Sequence, residues 1–184
     1  MKTGLFFGSF NPIHNGHLIV AQHMLSFAGF SKILFVVSPH NPFKEKDDLW
    51  DAKKRLNLVK TAISDNPNFE VSDIEFSMPS PNYSIDTLDA LKALHPEMEF
   101  QIIMGSDNIS GLNKWKNSEQ LLTKYKFQIY QRPGSENIEL PNDNFTLHKA
   151  PLIDISATVI RELLSKGHSV KYLVPESILE LVDN

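Results

Sequence analysis

The sequence predicts one α/β domain with a mainly parallel sheet, helices on both faces and a small helical part at the C-terminal end. Two short apolar runs, over residues 3–7 and 32–37, have the length and composition of buried strands. Between them, apolar residues recur at helical spacing from Leu18 to Ala28, and Gly29 is a suitable helix end. Strand, helix and strand in this order form a βαβ unit, whose two strands run parallel.

The rest of the chain continues the alternation of helices and strands. Helices are predicted over residues 51–64, 84–94, 118–125, 156–166 and 175–182. Strands are predicted over residues 69–76, 100–104, 127–130 and 145–148, the first of them with a bulge or in two pieces. Arg55, in the first of these helices, is interpreted as a surface residue. With 184 residues, 41% of them hydrophobic, the chain can bury one substantial core, so we assign residues 1–184 to a single domain.

Charge and composition narrow the classes of function. The formal net charge of −4 argues against a broad nucleic-acid surface, although a local basic pocket remains compatible with it. The absence of cysteine excludes a disulfide framework and fits a reducing compartment. No signal-peptide pattern and no apolar run of membrane-spanning length is visible. We therefore expect a cytoplasmic protein that binds neither nucleic acid nor membranes, and the sequence leaves its oligomeric state open.

The predicted function centres on the stretch from Gly8 to Leu18, GSFNPIHNGHL, which we call the glycine corner. It joins the first predicted strand to the first predicted helix. The start of a helix presents free backbone N–H groups and a partial charge of about +0.5, both of which favour an anion. His14 and His17 can add mobile hydrogen-bond donors on the same side. This combination suits a polyphosphate whose negative charge grows during a reaction.

The two histidines can also be interpreted without phosphate binding. They could be unrelated polar residues or half of a metal site, but zinc would require further ligands. The chain has no cysteine, and its other histidines form no second cluster at ligand spacing. The stretch matches neither the glycine pattern of a dinucleotide fold nor that of a P-loop. On the residues alone, phosphate binding is one interpretation among several.

The glycine corner resembles the signature G-[ST]-F-[DN]-P-x-H-x-G-H of the nucleotidyltransferases related to class I tRNA synthetases. In particular, it is similar to bacterial nicotinate-nucleotide adenylyltransferases, whereas phosphopantetheine adenylyltransferases usually carry threonine at the position of His14. Three further segments resemble motifs of that family and follow one another in the family's order, namely YSIDT, IMGSDNISGLNKW and ISATVIR. A lysine in the loop after the second strand, Lys44, completes the resemblance, which spans nearly the whole chain.

The resemblance implies a Rossmann-like fold and a set of site residues. The catalytic residues would be His14, His17, Lys44 and Arg161. ATP would be bound by Gly8, Ser9, Phe10, Gly16, Gly105, Asp107, Ser156 and Thr158. Nicotinate mononucleotide would be bound by Tyr83, Ser84, Trp115 and Lys116, with the tryptophan stacked on the ring and a backbone amide near Ser84 facing the carboxylate.

Several of these residues could serve the structure alone. Lys44 lies in a charged loop and could be a solvated side chain. Asp107, Ser156 and Ser84 could each cap a helix. Arg161 is harder to interpret in this way, because one turn into its helix it can lie over the same anion-binding end, with a fork that suits phosphate oxygens.

The implied reaction is an in-line attack of the mononucleotide phosphate on the α-phosphorus of ATP, with release of pyrophosphate. No side-chain nucleophile is needed, because the attacking phosphate is already ionised. Mg²⁺ would bridge the phosphates, since no carboxylate cluster in the sequence would hold a metal by protein alone. The alternatives are that the acceptor is nicotinamide mononucleotide or phosphopantetheine, or that the protein is a non-catalytic adenine-nucleotide sensor.

Overall fold

Six parallel strands form one sheet in the computed structural model, which describes residues 1–40, 49–134 and 138–183. The strands are β1 (Lys2–Gly8), β2 (Lys32–Val37), β3 (Phe69–Ser72), β4 (Glu99–Gly105), β5 (Phe127–Tyr130) and β6 (Phe145–His148). Their order is β3-β2-β1-β4-β5-β6, and every neighbouring pair is parallel. The predicted Rossmann-like α/β class is therefore confirmed.

Helices cover both faces of the sheet. The α-helices are α1 (Asn15–Phe27), α2 (Ala52–Ala62), α3 (Ser84–Leu94), α4 (Ser118–Lys124), α5 (Ala157–Ser165) and α6 (Leu179–Val182). Shorter 3₁₀ helices span Ile74–Ser77, Ser106–Lys114 and Glu176–Ile178. Within these described residues, no helix is both long enough and apolar enough to cross a membrane.

Alternation along the strands gives the sheet two separate apolar cores. Phe6 and Phe35 point to one face and pack with residues of α1, α2, α5 and α6. Leu5 and Ile102 point to the other face and pack with residues of α3 and α4. Because side chains alternate with a period of two along each strand, both faces of these buried strands are apolar.

The direction of strand order reverses between β1 and β4. The chain moves outward from β1 to β2 and β3, and then returns to place β4 on the opposite side of β1. In open parallel sheets, ligands bind outside the carboxyl ends of the strands at such a switch point. Gly8 and Gly105, the last residues of β1 and β4, therefore mark the expected ligand edge.

Two predictions made from the sequence are wrong. The predicted strand over residues 69–76 ends at Ser72, and its second piece is the 3₁₀ helix Ile74–Ser77. The hydroxyl of Ser72 accepts a hydrogen bond from the backbone N–H of Ile74 at 3.3 Å, a turn that competes with strand pairing. Arg55, which we interpreted as a surface residue, is completely buried.

Candidate functional site

The glycine corner connects β1 to α1 and is almost entirely buried. Phe10 takes a positive φ of 44° and turns its ring into the core against Phe6 and Phe35. A Cβ atom at Gly8 would lie 2.8 Å from that ring, so only glycine fits there. The side chain of Phe10 thus packs in the core and supports the corner.

The two histidines form a stacked pair at the start of α1. Their ring centroids are 3.7 Å apart, and the ring planes meet at 26°. The backbone N–H of His14 donates to Nδ1 of His17 at 3.2 Å, which leaves the ring proton of a neutral His17 on Nε2. The orientation and the tautomer of His17 are therefore set by the backbone of the corner itself.

His14 is held as a neutral imidazole. It is only 4% exposed, and burial together with the nearby Arg132 guanidinium lowers its pKa from 6.5 to about 4. Its Nδ1 atom is buried and faces the backbone N–H of His17 in a capping-box arrangement, without a hydrogen bond of full geometry within the described part of the chain. The helix start at which His14 lies favours an anion, because its backbone N–H groups and the helix dipole are positive there.

Arg161 reaches this corner from the far end of the sequence. Its Nη1 atom donates to the carbonyl oxygen of Asn11 at 2.9 Å, across 150 positions of the chain. Ser156 caps α5 by accepting a hydrogen bond from the backbone N–H of Val159 at 3.2 Å. The cap therefore orients the first turn of α5, on which Arg161 lies and Thr158 is exposed.

Asp107 and Arg132 follow the ends of β4 and β5. The carboxylate of Asp107 is half-exposed, and its Oδ2 atom is 3.9 Å from Nε of Arg132. The residue that caps the following 3₁₀ helix is Gly105, so Asp107 does not serve as that cap. A Cβ atom at Gly105 would lie 2.4 Å from Oδ1 of Asp107, so glycine leaves room for the carboxylate. A small cavity connects Arg132 to His14 and His17.

A larger cavity of about 180 Å³ lies on the other side of β1 and β4, and we call it the aromatic cavity. Its wall contains all four residues predicted to bind the mononucleotide, which are Tyr83, Ser84, Trp115 and Lys116. Gly8 and Gly105 also line it, so the cavity opens beside the glycine corner.

The start of α3 faces this cavity. Tyr83 precedes the first helical residue, Ser84, and no side chain of the described residues caps the helix. The first backbone N–H groups of α3 are thus available to an anionic group in the cavity. At the rim, Nζ of Lys116 lies 2.7 Å from Oδ2 of Asp86 and 4.9 Å from the ring centre of Tyr83.

Comparison with known proteins identifies the family. The sequence model of the family described as cytidylyltransferase-like matches residues 5–163. A relative from Cytophaga hutchinsonii, named "Probable nicotinate-nucleotide adenylyltransferase", is 45% identical over 99% of this chain and 95% of its own length. A relative of the same name from Bacteroides fragilis is 44% identical over 98% of this chain and 90% of its own. The chain belongs to the nicotinate-nucleotide adenylyltransferase family.

Solved structures with the same fold include members of this family. Two structures of Plasmodium falciparum nicotinic acid mononucleotide adenylyltransferase, complexed with NaAD and with APC, superpose with TM-scores of 0.78 and 0.76. Each is 22% identical to this chain and covers 98% of it, and the chain covers 95% and 96% of their lengths. At this level of identity, the likeness concerns the fold.

Arg55, which no pattern in the sequence indicated as a site residue, holds the corner of this adenylyltransferase-family chain in place. The buried guanidinium of Arg55 donates to four backbone carbonyls, from Nη1 to Ser9 at 2.5 Å and to Ser38 at 2.8 Å, from Nη2 to Pro39 at 2.8 Å and from Nε to Trp50 at 3.0 Å. The backbone N–H of Trp50 in turn donates to Oδ1 of Asn11 at 2.9 Å. Arg55 thus connects the glycine corner to the loop that follows β2.

Three further residues of the site were missed. Arg132 could have been found, because it directly follows a predicted strand whose carboxyl end faces the ligand edge. Glu75 and Asn82 line the aromatic cavity while being only 3% and 6% exposed. No signal in the sequence distinguishes them from surface polar residues, because they lie in a segment rich in serine and proline.

One predicted catalytic residue lies outside the described part of the chain. Lys44 belongs to residues 41–48, which the structure does not describe. Within the described ranges, no group of three or more histidine, cysteine, aspartate or glutamate side chains is arranged to hold a metal ion. The described part of the candidate site is therefore composed of hydrogen-bond donors, aromatic rings and a few isolated carboxyl groups.

Proposed function

We propose that the protein transfers the adenylyl group of ATP to the phosphate of nicotinate mononucleotide, and that it releases deamido-NAD and pyrophosphate. One observation carries the proposal, namely that Arg161 and the histidine pair meet at one corner, where Arg161 donates to Asn11 three residues before His14. The relatives described above are named for this activity, and the chain matches nearly the whole length of each.

The proposed reaction is a displacement at phosphorus. An oxygen of the mononucleotide phosphate forms a bond to the α-phosphorus of ATP, and the bond from that phosphorus to pyrophosphate breaks. No proton has to be removed from the attacking phosphate, because it is ionised near neutral pH. Catalysis then consists of alignment and of stabilisation of negative charge on the oxygens of the transferred and departing groups.

The histidines would stabilise that charge as hydrogen-bond donors, and His14 would act in its neutral form because burial lowers its pKa. His17, whose Nδ1 atom accepts from the backbone N–H of His14, would donate from Nε2, and the ring of His14 would supply a second donor. A neutral imidazole has one N–H group, so such a ring can donate one hydrogen bond to a phosphate oxygen. Arg161 would hold the departing pyrophosphate, and Lys44 is predicted to do the same from the loop after β2.

The two substrates would lie on the two sides of the ligand edge. The nicotinate ring would stack on Trp115 in the aromatic cavity, with its carboxylate at the start of α3 near Ser84. ATP would lie along the glycine corner, with the half-exposed carboxylate of Asp107 accepting hydrogen bonds from the ribose hydroxyls. Their phosphates would meet beside Gly8 and Gly105, which line the cavity next to the corner.

Mg²⁺ would enter with ATP. This cation prefers several oxygen ligands, whereas the described residues around the corner mainly present hydrogen-bond donors, so they do not fit a magnesium ion held by protein alone. We therefore propose that the cation binds to the phosphates of ATP and that the described residues only receive the complex. We also propose that residues 1–184 act as one domain and that the protein works in the cytoplasm.

The test is pyrophosphate release with ATP and Mg²⁺, measured in parallel with nicotinate mononucleotide, nicotinamide mononucleotide and phosphopantetheine. We expect fast release with nicotinate mononucleotide and formation of deamido-NAD in equal amount. Fast release only with another acceptor would replace the proposed substrate. No release with any of them, together with tight ATP binding, would favour the nucleotide sensor.

A further inference from the structure

The aromatic cavity contains a carboxyl group that the proposed reaction does not use. Glu75 lies in the 3₁₀ helix Ile74–Ser77 and lines the cavity, although it is only 3% exposed. Its Oε1 atom accepts a hydrogen bond from the hydroxyl of Thr87 at 2.8 Å. Its Oε2 atom is buried and has no partner among the described residues.

Among the described residues, no cation neutralises a negative charge on Glu75. None of the salt bridges formed by the described residues involves Glu75. The groups that do contact its carboxyl oxygens are the neutral hydroxyls of Ser38 and Thr87. Burial away from any described cation penalises the ionised form, and it raises the pKa of Glu75 above its usual value although both hydroxyls act to lower it.

Asn82 gives this wall a second unsatisfied acceptor. Its Nδ2 atom donates to the backbone carbonyl of Glu75 at 3.1 Å, which directs its Oδ1 atom elsewhere. That Oδ1 atom is also buried and lacks a donor within the described part of the chain. Ionised Glu75 would add only more acceptors to this wall, whereas protonated Glu75 would supply a donor from Oε2.

We propose that Glu75 is a specificity-determining residue, which as a neutral carboxylic acid lets the aromatic cavity accept a ring that carries a carboxylate. This inference rests on the proposed function, because it assumes that the nicotinate ring occupies the cavity. The reason is electrostatic. A buried carboxylate at Glu75 would repel the carboxylate of nicotinate, whereas the uncharged amide of nicotinamide would meet no such repulsion.

An experiment has to distinguish the titration of Glu75 from that of the other titratable groups of the cavity. They are Tyr83, Tyr130 and Lys116 in the wall, with Asp86 paired to Lys116 at the rim. The 3₁₀ helix packs against α3 and the end of β2. These elements place the neutral hydroxyls of Thr87 and Ser38 next to the carboxyl group of Glu75. The variant Glu75→Gln retains every one of these groups, and its amide oxygen can still accept from Thr87.

The experiment compares the pH dependence of KM for the two mononucleotides in the wild type and in Glu75→Gln. In the wild type, we expect KM for nicotinate mononucleotide to rise by about tenfold or more towards high pH, which corresponds to one unit of coupling between the two carboxyl groups. KM for nicotinamide mononucleotide and for ATP should change far less. In Glu75→Gln, this rise should disappear. Glu70→Gln, an exposed change of the same kind on β3, should retain the wild-type profile.

Two results would overturn the inference. One is an unchanged alkaline rise of KM for nicotinate mononucleotide in Glu75→Gln. The other is a tenfold or larger loss of affinity for nicotinate mononucleotide in that variant at neutral pH, which would mean that the ionised carboxylate is needed.

A direct measurement separates this inference from the proposed function. Infrared difference spectra between the wild type and Glu75→Gln should show the C=O band of a protonated carboxyl group at neutral pH. If the band is present but neither mononucleotide is adenylylated, the proposed function fails while Glu75 is still neutral. If transfer to nicotinate mononucleotide occurs and the band is absent, only the inference about Glu75 fails.

Discussion

The glycine corner is lined by hydrogen-bond donors, whereas the wall of the aromatic cavity carries buried acceptors. At the corner, His17 accepts from the backbone through Nδ1, Arg161 and Arg132 are partly buried, and Arg55 is buried underneath. In the cavity wall, Oε2 of Glu75 and Oδ1 of Asn82 have no donor within the described residues. The two regions share Gly8, the residue that ends β1.

The difference shows how one sheet edge can receive two anionic groups of different size. A triphosphate carries several charges, and it needs donors and guanidinium groups in fixed positions. A single ring carboxylate needs only helix amides, provided that the wall around it carries no negative charge. Substitutions on the two sides of the edge test this contrast, from the largest expected effect to the smallest.

His17→Ala should lower turnover the most. Loss of one preorganised donor to a developing negative charge typically raises the barrier by about 2.7 to 4 kcal/mol, or roughly 100- to 1,000-fold in kcat. Stability should change much less, because the ring lies at the ligand edge. His23→Ala on the same helix is the matched control and should leave kcat near the wild-type value. A fully active His17→Ala enzyme would remove the histidine from the mechanism.

Arg55→Met should reduce the free energy of unfolding by about 3 kcal/mol or more, because it leaves buried carbonyls without their donor. Denaturant unfolding measures the loss. Lys53→Met, an exposed change on the same helix, should have little effect. Arg55→Lys keeps the charge but cannot reach all four carbonyls, so its stability should lie between that of Arg55→Met and that of the wild type. Wild-type stability in Arg55→Met would show that the corner does not depend on this guanidinium.

His14 should make the ligand-free protein less stable in mild acid. Its pKa is lowered from 6.5 to about 4, so between these values the unfolded chain binds more protons than the folded one. Stability is therefore retained above about pH 6.5 and lost as the pH falls towards 4, by about 3 kcal/mol in total. Urea unfolding over this range, compared with His14→Gln, isolates the effect. Parallel curves for the two proteins would contradict it.

Arg161→Lys should weaken the use of ATP more than that of the mononucleotide. The substitution would remove the hydrogen bond to Asn11 and the planar guanidinium group while it keeps the positive charge. Loss of a charged hydrogen bond is typically worth about 1.5 to 3 kcal/mol, so kcat/KM for ATP should fall roughly 10- to 150-fold. Glu162→Gln, at the next position of α5, serves as the control. An equal loss for both substrates would place Arg161 in general support of the fold.

Asp86→Asn should have the smallest effect. The pair between Asp86 and Lys116 is about 40% exposed on each side, and exposed ion pairs contribute about 0 to 1 kcal/mol. Thermal unfolding should therefore change little, while KM for nicotinate mononucleotide should shift modestly because Lys116 is free to move at the rim. A large loss of stability would show that the rim pair supports the cavity rather than the substrate.

The regular parts of the fold were predictable because their signals are local. Residues 32–37 were predicted as a strand with the bounds that the structure gives. The helix after the glycine corner was predicted from apolar residues one turn apart, and α5 from a capping serine at Ser156. The 3₁₀ helix at Ile74–Ser77 was not predictable, because a serine hydroxyl in a turn competes with strand pairing there.

The sequence by itself determined the alternation of strands and helices, the glycine corner and the candidate residues that follow the strands. Each of these features is determined by a pattern of a few neighbouring residues. Only the tertiary structure decided that Arg55 is buried and that Glu75 lines a cavity. The carbonyls that hold Arg55 lie 5, 16, 17 and 46 positions away in the chain. The charge state of a polar residue depends on such distant partners, and no local pattern records them.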